Sequence, residues 1–220
     1  MANAFGHAMR SEWALDPAIL YLNHGTVGAP PRRVLAAQQA LRDEIERQPS
    51  KFLLREVSST RVGVPAASEL SRTRVAASAV AAFLGARGDD LVFVENVTAG
   101  INAVLRSLEF LPGDEIVITD QVYGAVAKTA QYVARLAGAH VRTAFLPENA
   151  DDPQEFVDAV AAVLTPRTRI AIVEHIAAQS ALLMPLAAIA ARCHAAGVPV
   201  LADGAHAPGA IAFDIPALGV

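Results

Sequence analysis

Several familiar signatures are missing from this sequence, and each absence removes a class of function. There is one cysteine, Cys193, so no intrachain disulfide can form and the chain suits a reducing, cytoplasmic compartment. Basic excess is also missing: 18 Lys and Arg stand against 22 Asp and Glu, for a net charge of -4. The cations are scattered rather than striped along one face, which argues against a nucleic-acid partner. The longest uncharged stretch in the apolar middle, residues 176–191, contains Gln179, Ser180 and Pro185 and is too short for a membrane span. The opening MANAFGHAMRSEWALDP has no apolar h-region, so no export signal is expected. No G-x-G-x-x-G follows a β-rich run, which disfavours a dinucleotide-binding dehydrogenase. Gly204 and Gly209 have P-loop spacing, but Ala210 and Ile211 stand where a P-loop needs Lys and Ser or Thr. No G-x-S-x-G elbow is present for a serine hydrolase. His175, Cys193, His194 and His206 lack tight ligand spacing, so no metal site is expected, and His194 reads as a surface residue of its helix.

What remains is a chain able to bury a substantial core, with 53% hydrophobic and 18% charged residues over 220 positions, enough for one large or two small domains. Short β-rich runs recur: LVFV (91–94), EIVIT (115–119), HVRTAFL (140–146), TRIAIVEH (168–175) and VPVLAD (198–203). Helical periodicity fills the intervals over 99–107, 125–137, 153–164 and 186–196, with turn signals such as LPGDE and AAGVP between them. A helical preface over 30–48 and 68–86 precedes this alternation, with Pro opening the first helix and Gly85 near the end of the second. The expected fold class is α/β, a mostly parallel sheet with flanking helices.

In such sheets ligands gather outside the carboxyl ends of the strands. Asp203 ends one predicted strand, Thr98 follows another and Tyr123 a third. Singly, each has a plain structural reading: a turn or capping carboxylate, a helix cap and a core-edge aromatic. Together they suit one ligand. The NVTAGIN helix start offers free amides, a hydroxyl and a favourable dipole to a phosphate. An aromatic face can stack on a flat heterocycle, and a carboxylate can hold a pyridine nitrogen protonated, which makes pyridoxal phosphate an electron sink. His206, three residues beyond Asp203, is then placed to hydrogen-bond the ring's phenolic oxygen.

The ordered segments YLNHGTVGAPPRRV, ENVTAGINAVLRSL, DQVYGAV, EHI and DGAHAPG resemble the class V aminotransferase family of fold-type I pyridoxal-phosphate enzymes, and most closely its isopenicillin-N-epimerase-like branch. The likeness runs from about Phe5 to the last residue. It implies the large domain of a fold-type I enzyme with pyridoxal 5'-phosphate as cofactor. It also implies an N-terminal segment over 1–48, with the substrate-side turn and a helix, and an incomplete cofactor-binding domain over 49–220. Thr98 and the Ala99 amide would hold the phosphate, Tyr123 would stack on the ring, Asp203 would pair with the ring nitrogen and His206 would sit near the phenolic oxygen. Asn23 and His24 match the segment that lines the substrate side. The substrate implied is an amino acid or related amine, handled by an aminotransferase or epimerase, and the expected assembly is a homodimer whose active sites are completed across a two-fold axis.

Two departures stand out. Ala177 and Ala178 occupy positions that are polar in relatives. The lysine that holds the cofactor as a Schiff base lies downstream of DGAHAPG in relatives, and the chain's two lysines do not match it. Lys128 falls in a helical run as a solvated side chain, and Lys51 sits in a loop-like QPSKF. The closing DIPALGV reads as an uncapped apolar run cut at a helix. The expectation is a fragment that stops before the Schiff-base lysine and the small C-terminal domain, inactive by itself. Cys193 lies in a helix rather than where a desulfurase keeps its nucleophile, so sulfur transfer is disfavoured. The alternative from another class is a non-catalytic α/β scaffold or partner-binding module derived from this fold. Retention of Thr98, Tyr123, Asp203 and His206 together argues against it.

Overall fold

A computed structural model describes residues 6–57, 70–148 and 150–220. The chain divides into two compact units, 1–78 and 79–220.

Among its described residues the first unit is helical. A 3-10 turn at His7–Glu12 leads to α1 (Arg32–Arg47), entered from Pro31. A three-residue α2 (Pro49–Lys51) runs into a π-helical stretch, Phe52–Val57. The QPSKF segment is therefore helical rather than a loop: Pro49 sits in the first turn, where its missing N–H costs nothing, and Phe52 is buried. Arg72 holds this part together through paired bonds to Glu44 (2.8 and 2.7 Å) and a contact with Glu56 (2.9 Å). The predicted helix over 68–86 is found as α3 (Arg72–Phe83); its first two predicted residues lie outside the described residues.

The second unit is built on α4 (Val97–Ser107), β1 (Glu115–Thr119), α5 (Gly124–Ala137), β2 (His140–Ala144), α6 (Gln154–Ala161), β3 (Thr168–Glu174), α7 (Leu186–Ala195), β4 (Val200–Asp203) and α8 (Ile215–Leu218). The four strands form one parallel sheet in the order β2-β1-β3-β4, each joined to the next in sequence by a helix. β1 and β3 are buried along nearly their whole length, which is why EIVIT and TRIAIVE read as continuous apolar runs rather than alternating ones. Alternation instead decides which face each residue serves. Ile116, Ile118 and Ile172 meet Ile101 and Leu105 of α4 and Val126 and Ala130 of α5; Val117, Ala171 and Val173 meet α6 and α7. α7 buries Leu186, Ile189, Ala190 and Cys193, the i, i+3, i+4, i+7 stripe of an amphipathic helix.

Two expectations are corrected here. LVFV (91–94) is extended but belongs to no ladder among the described residues, with Val92 73%, Phe93 51% and Val94 50% exposed. Its composition suits a strand, but a strand exists only where a neighbour completes its hydrogen bonds. The DIPALGV segment is capped: Asp214 accepts the Ala217 N–H (3.1 Å), and Gly219 closes α8 with φ 67°. Gly85 ends the turn after α3 with φ +72°, and a Cβ there would collide with the Asp214 carboxylate, so both conformation and space require glycine. No helix among the described residues is long and apolar enough to cross a membrane.

Candidate functional site

The sheet order reverses direction between β1 and β3: one crossover leads outward from β1 to β2, another outward from β3 to β4. The carboxyl ends at such a switch leave a crevice between diverging helices. Thr119 ends β1 and Glu174 ends β3, and the Thr119 hydroxyl donates to Glu174 Oε2 across that gap at 2.8 Å. Asp203 ends β4 in register with Glu174. Leu201, two residues earlier, packs with the α4–α5 cluster, so strand alternation turns Asp203 toward the same face.

α4 and α5 begin at this rim. Asn96 caps α4 by accepting the Ala99 N–H at 2.8 Å; Thr98, which resembled the cap in the sequence, lies inside the first turn. The Ala99 amide is thus engaged, while the Val97 and Thr98 amides and the Thr98 hydroxyl have no partner among the described residues. Tyr123 is the residue before α5 and is 52% exposed, so it is not a core-edge aromatic. Asn102 ties the two helices together, donating to Thr129 Oγ1 (2.9 Å) and to the Thr98 carbonyl (3.0 Å).

Asp203 is buried, and its Oδ1 accepts the Ala205 N–H at 3.0 Å in a tight turn. His206 follows in that turn, half-buried. The Asp203 carbonyl accepts the His175 N–H (2.9 Å), and the His175 ring meets Phe213 edge-on at 5.2 Å. Burial pushes the His175 imidazole below its ordinary range. Glu174 is 2% exposed, its Oε1 has no partner among the described residues, and burial pushes its carboxyl up, against its own backbone amide and Thr119 and with Asp203 and Asp120 adding to the rise. Sequence reasoning passed over Thr119 and Glu174; the signal was an acidic residue closing the otherwise apolar run IAIVE.

The remaining predicted positions are placed as follows. Ala177 is buried and Ala178 exposed, in a loop where Ile176 bridges Leu183. Lys128 is exposed on α5, and Lys51 pairs with Glu56 at 3.4 Å. Cys193 is wholly buried, and burial pushes its thiol up. In the first unit His24 packs edge-on to Tyr21 (4.8 Å) and accepts the Ala29 N–H at Nδ1 (3.4 Å), while the Asn23 carbonyl accepts the Val27 N–H (3.2 Å). No cluster of three or more His, Cys, Asp or Glu residues among the described residues could hold a metal ion.

Residues 31–220 match the aminotransferase class-V family. The chain belongs to this class-V family. Isopenicillin N epimerase of Streptomyces clavuligerus is 33% identical over 215 residues, covering 98% of this chain and 51% of the relative. That of Amycolatopsis lactamdurans is 34% identical, covering 99% and 52%. The chain therefore spans about half the length of the curated relatives it matches. Among solved structures, the cystine C–S lyase C-DES in complex with its product cysteine persulfide aligns with a TM-score of 0.73 at 25% identity, over 91% of this chain and 51% of that one. Cysteine desulfurase CsdA from Escherichia coli shares the fold at a TM-score of 0.75 and 24% identity, over 99% and 53%. This class-V chain thus has the parallel α/β architecture expected from its sequence.

Proposed function

We propose that this class-V chain forms the cofactor-binding part of a pyridoxal 5'-phosphate-dependent enzyme acting on an amino acid or related amine, as an aminotransferase or an epimerase. The observation that carries the reading is Asp203: a buried carboxylate at the carboxyl edge of the sheet, with one oxygen held by the Ala205 amide and no salt bridge to it among the described residues. Such a group fits a protonated pyridine nitrogen, which satisfies the buried charge. The start of α4 fits a phosphate through the Val97 and Thr98 amides and the Thr98 hydroxyl, and the Ala99 amide joins them if the Asn96 side chain turns away. Tyr123 has the exposure needed to stack on the ring, and His206 stands beside Asp203 for the phenolic oxygen. Bound pyridoxal phosphate supplies an electron sink for bond cleavage at the amine-bearing carbon of the substrate. Asn23 and His24 are assigned to the substrate side, and the working assembly to a homodimer. No lysine of this chain is assigned to the chemistry: Lys128 is exposed and Lys51 is in an ion pair.

The test is the affinity of this chain for pyridoxal phosphate, measured by equilibrium dialysis. Asp203→Ala is expected to weaken it about 10- to 100-fold, as loss of a charged hydrogen bond of about 1.5–3 kcal/mol. Loss of stacking in Tyr123→Ala is expected to cost roughly 3- to 10-fold. Equal affinities for parent and variants would overturn the cofactor assignment and favour a non-catalytic scaffold.

A further inference from the structure

Two carboxyl groups close adjacent strands at the rim, and they are not equivalent. Glu174 and Asp203 are in-register neighbours, 2% and 5% exposed. The charged groups that bear on Glu174 are Asp203 from β4 and Asp120 from the turn after β1, and both are acidic. His175, next in the chain, is buried in a setting that disfavours its cation. No salt bridge reaches Glu174 or Asp203 among the described residues. An ionised Glu174 beside Asp203, with no salt bridge to either among the described residues, carries a large cost. The Thr119 hydroxyl at Oε2 and the residue's own backbone amide favour the Glu174 anion, but burial outweighs both. Its Oε1 is buried without a partner among the described residues, where a carboxylate oxygen is most costly and a protonated one least. The Asp203 Oδ1 accepts the Ala205 amide.

We propose that Glu174 is a positioning residue: anchored by Thr119, it holds a proton at the strand end beside Asp203, whose carboxyl faces the ring-nitrogen position. The last clause rests on the cofactor reading above; the proton on Glu174 does not. Glu174 acts through Asp203, because a neutral neighbour adds no repulsion beside that buried carboxyl.

The experiment is infrared titration of the protonated-carboxyl stretch in the cofactor-free 220-residue chain, in parent, Glu174→Gln and Asp203→Asn. The parent is expected to keep a protonated carboxyl above the ordinary carboxylate range, and Glu174→Gln to lose it. In Asp203→Asn its midpoint is expected to fall by about one pH unit, the mark of coupled titration. Burial alone would leave that midpoint where it was, and an unmoved midpoint overturns the proposal. Survival of the band in Glu174→Gln overturns it as well. Asp203→Ser replaces Asp203→Asn if circular dichroism shows that the latter does not fold. Titration is then repeated with pyridoxal phosphate, whose ring cation is expected to lower the parent midpoint by relieving the repulsion from Asp203. A midpoint shift in the free chain without a response to the cofactor supports the proton on Glu174 and overturns the cofactor assignment.

Discussion

Two glutamates separate packing from chemistry. Glu115 begins β1 and Glu174 ends β3; both are 2% exposed, yet their surroundings are opposite. Burial alone would push the Glu115 carboxyl up, but the Thr165 hydroxyl (2.6 Å) and the Arg142 and Arg167 guanidinium groups (3.6 and 3.3 Å) outweigh it and hold it below the usual range. A lowered folded value means that Glu115 stabilises the fold above the ordinary glutamate range and loses that contribution as pH falls through its own lower value. Urea unfolding of Glu115→Gln against parent over an acid pH series is therefore expected to show a stability gap that closes toward low pH; a constant gap would show that the ion pairs contribute nothing. Glu174 has no such cations and carries the opposite shift. Perturbation toward the neutral form at a ligand-binding edge marks a site, whereas a satisfied ion-pair cluster at the other edge marks architecture. Asp203 and Thr98 were legible as site candidates because each sits where a predicted strand or helix changes. Glu174 was not, since only the pairing of β3 with β4 brings it beside Asp203.

Elements were read well where periodicity was strong. The helices expected over 30–48 and 186–196 appear as Arg32–Arg47 and Leu186–Ala195, and four of the five β-rich runs became strands. The fifth, LVFV, is as apolar as IAIV in β3 but joins no ladder among the described residues. Stability measurements make the difference visible. Ile172→Ala is expected to cost about 2–5 kcal/mol, since that side chain is fully buried between two strands and two helices. Phe93→Ser is expected to change stability by no more than about 0.5 kcal/mol, because Phe93 is half exposed and outside the sheet. A large loss in Phe93→Ser would show that this side chain carries more packing than its exposure implies. The α4 cap reads as Thr98 in the sequence and is Asn96 instead: both are capping residue types, and the bond from the Ala99 N–H to the Asn96 side chain places the helix start two residues earlier.

At the scale of the molecule, charge and exposed apolar surface set behaviour in solution. With a net charge of -4, an isoelectric point near 5.8 and large apolar side chains exposed at Val92, Phe93 and Val94, the chain is expected to be least soluble close to pH 5.8 and more soluble at pH 8. A solubility series in low salt checks this, and a flat profile would show that apolar contacts rather than charge control association. The sequence by itself determined the alternation of strands and helices, the burial of the central strands, the resemblance to the class-V family and three chemically distinct residues at strand and helix boundaries. These follow from periodicity and local spacing, which are properties of neighbouring residues. Tertiary structure decided the strand order, and with it the switch between β1 and β3, the bond from Thr119 to Glu174 and the pairing of Glu174 with Asp203. Those contacts join residues 55 and 29 positions apart, and no local pattern encodes which strand lies beside which.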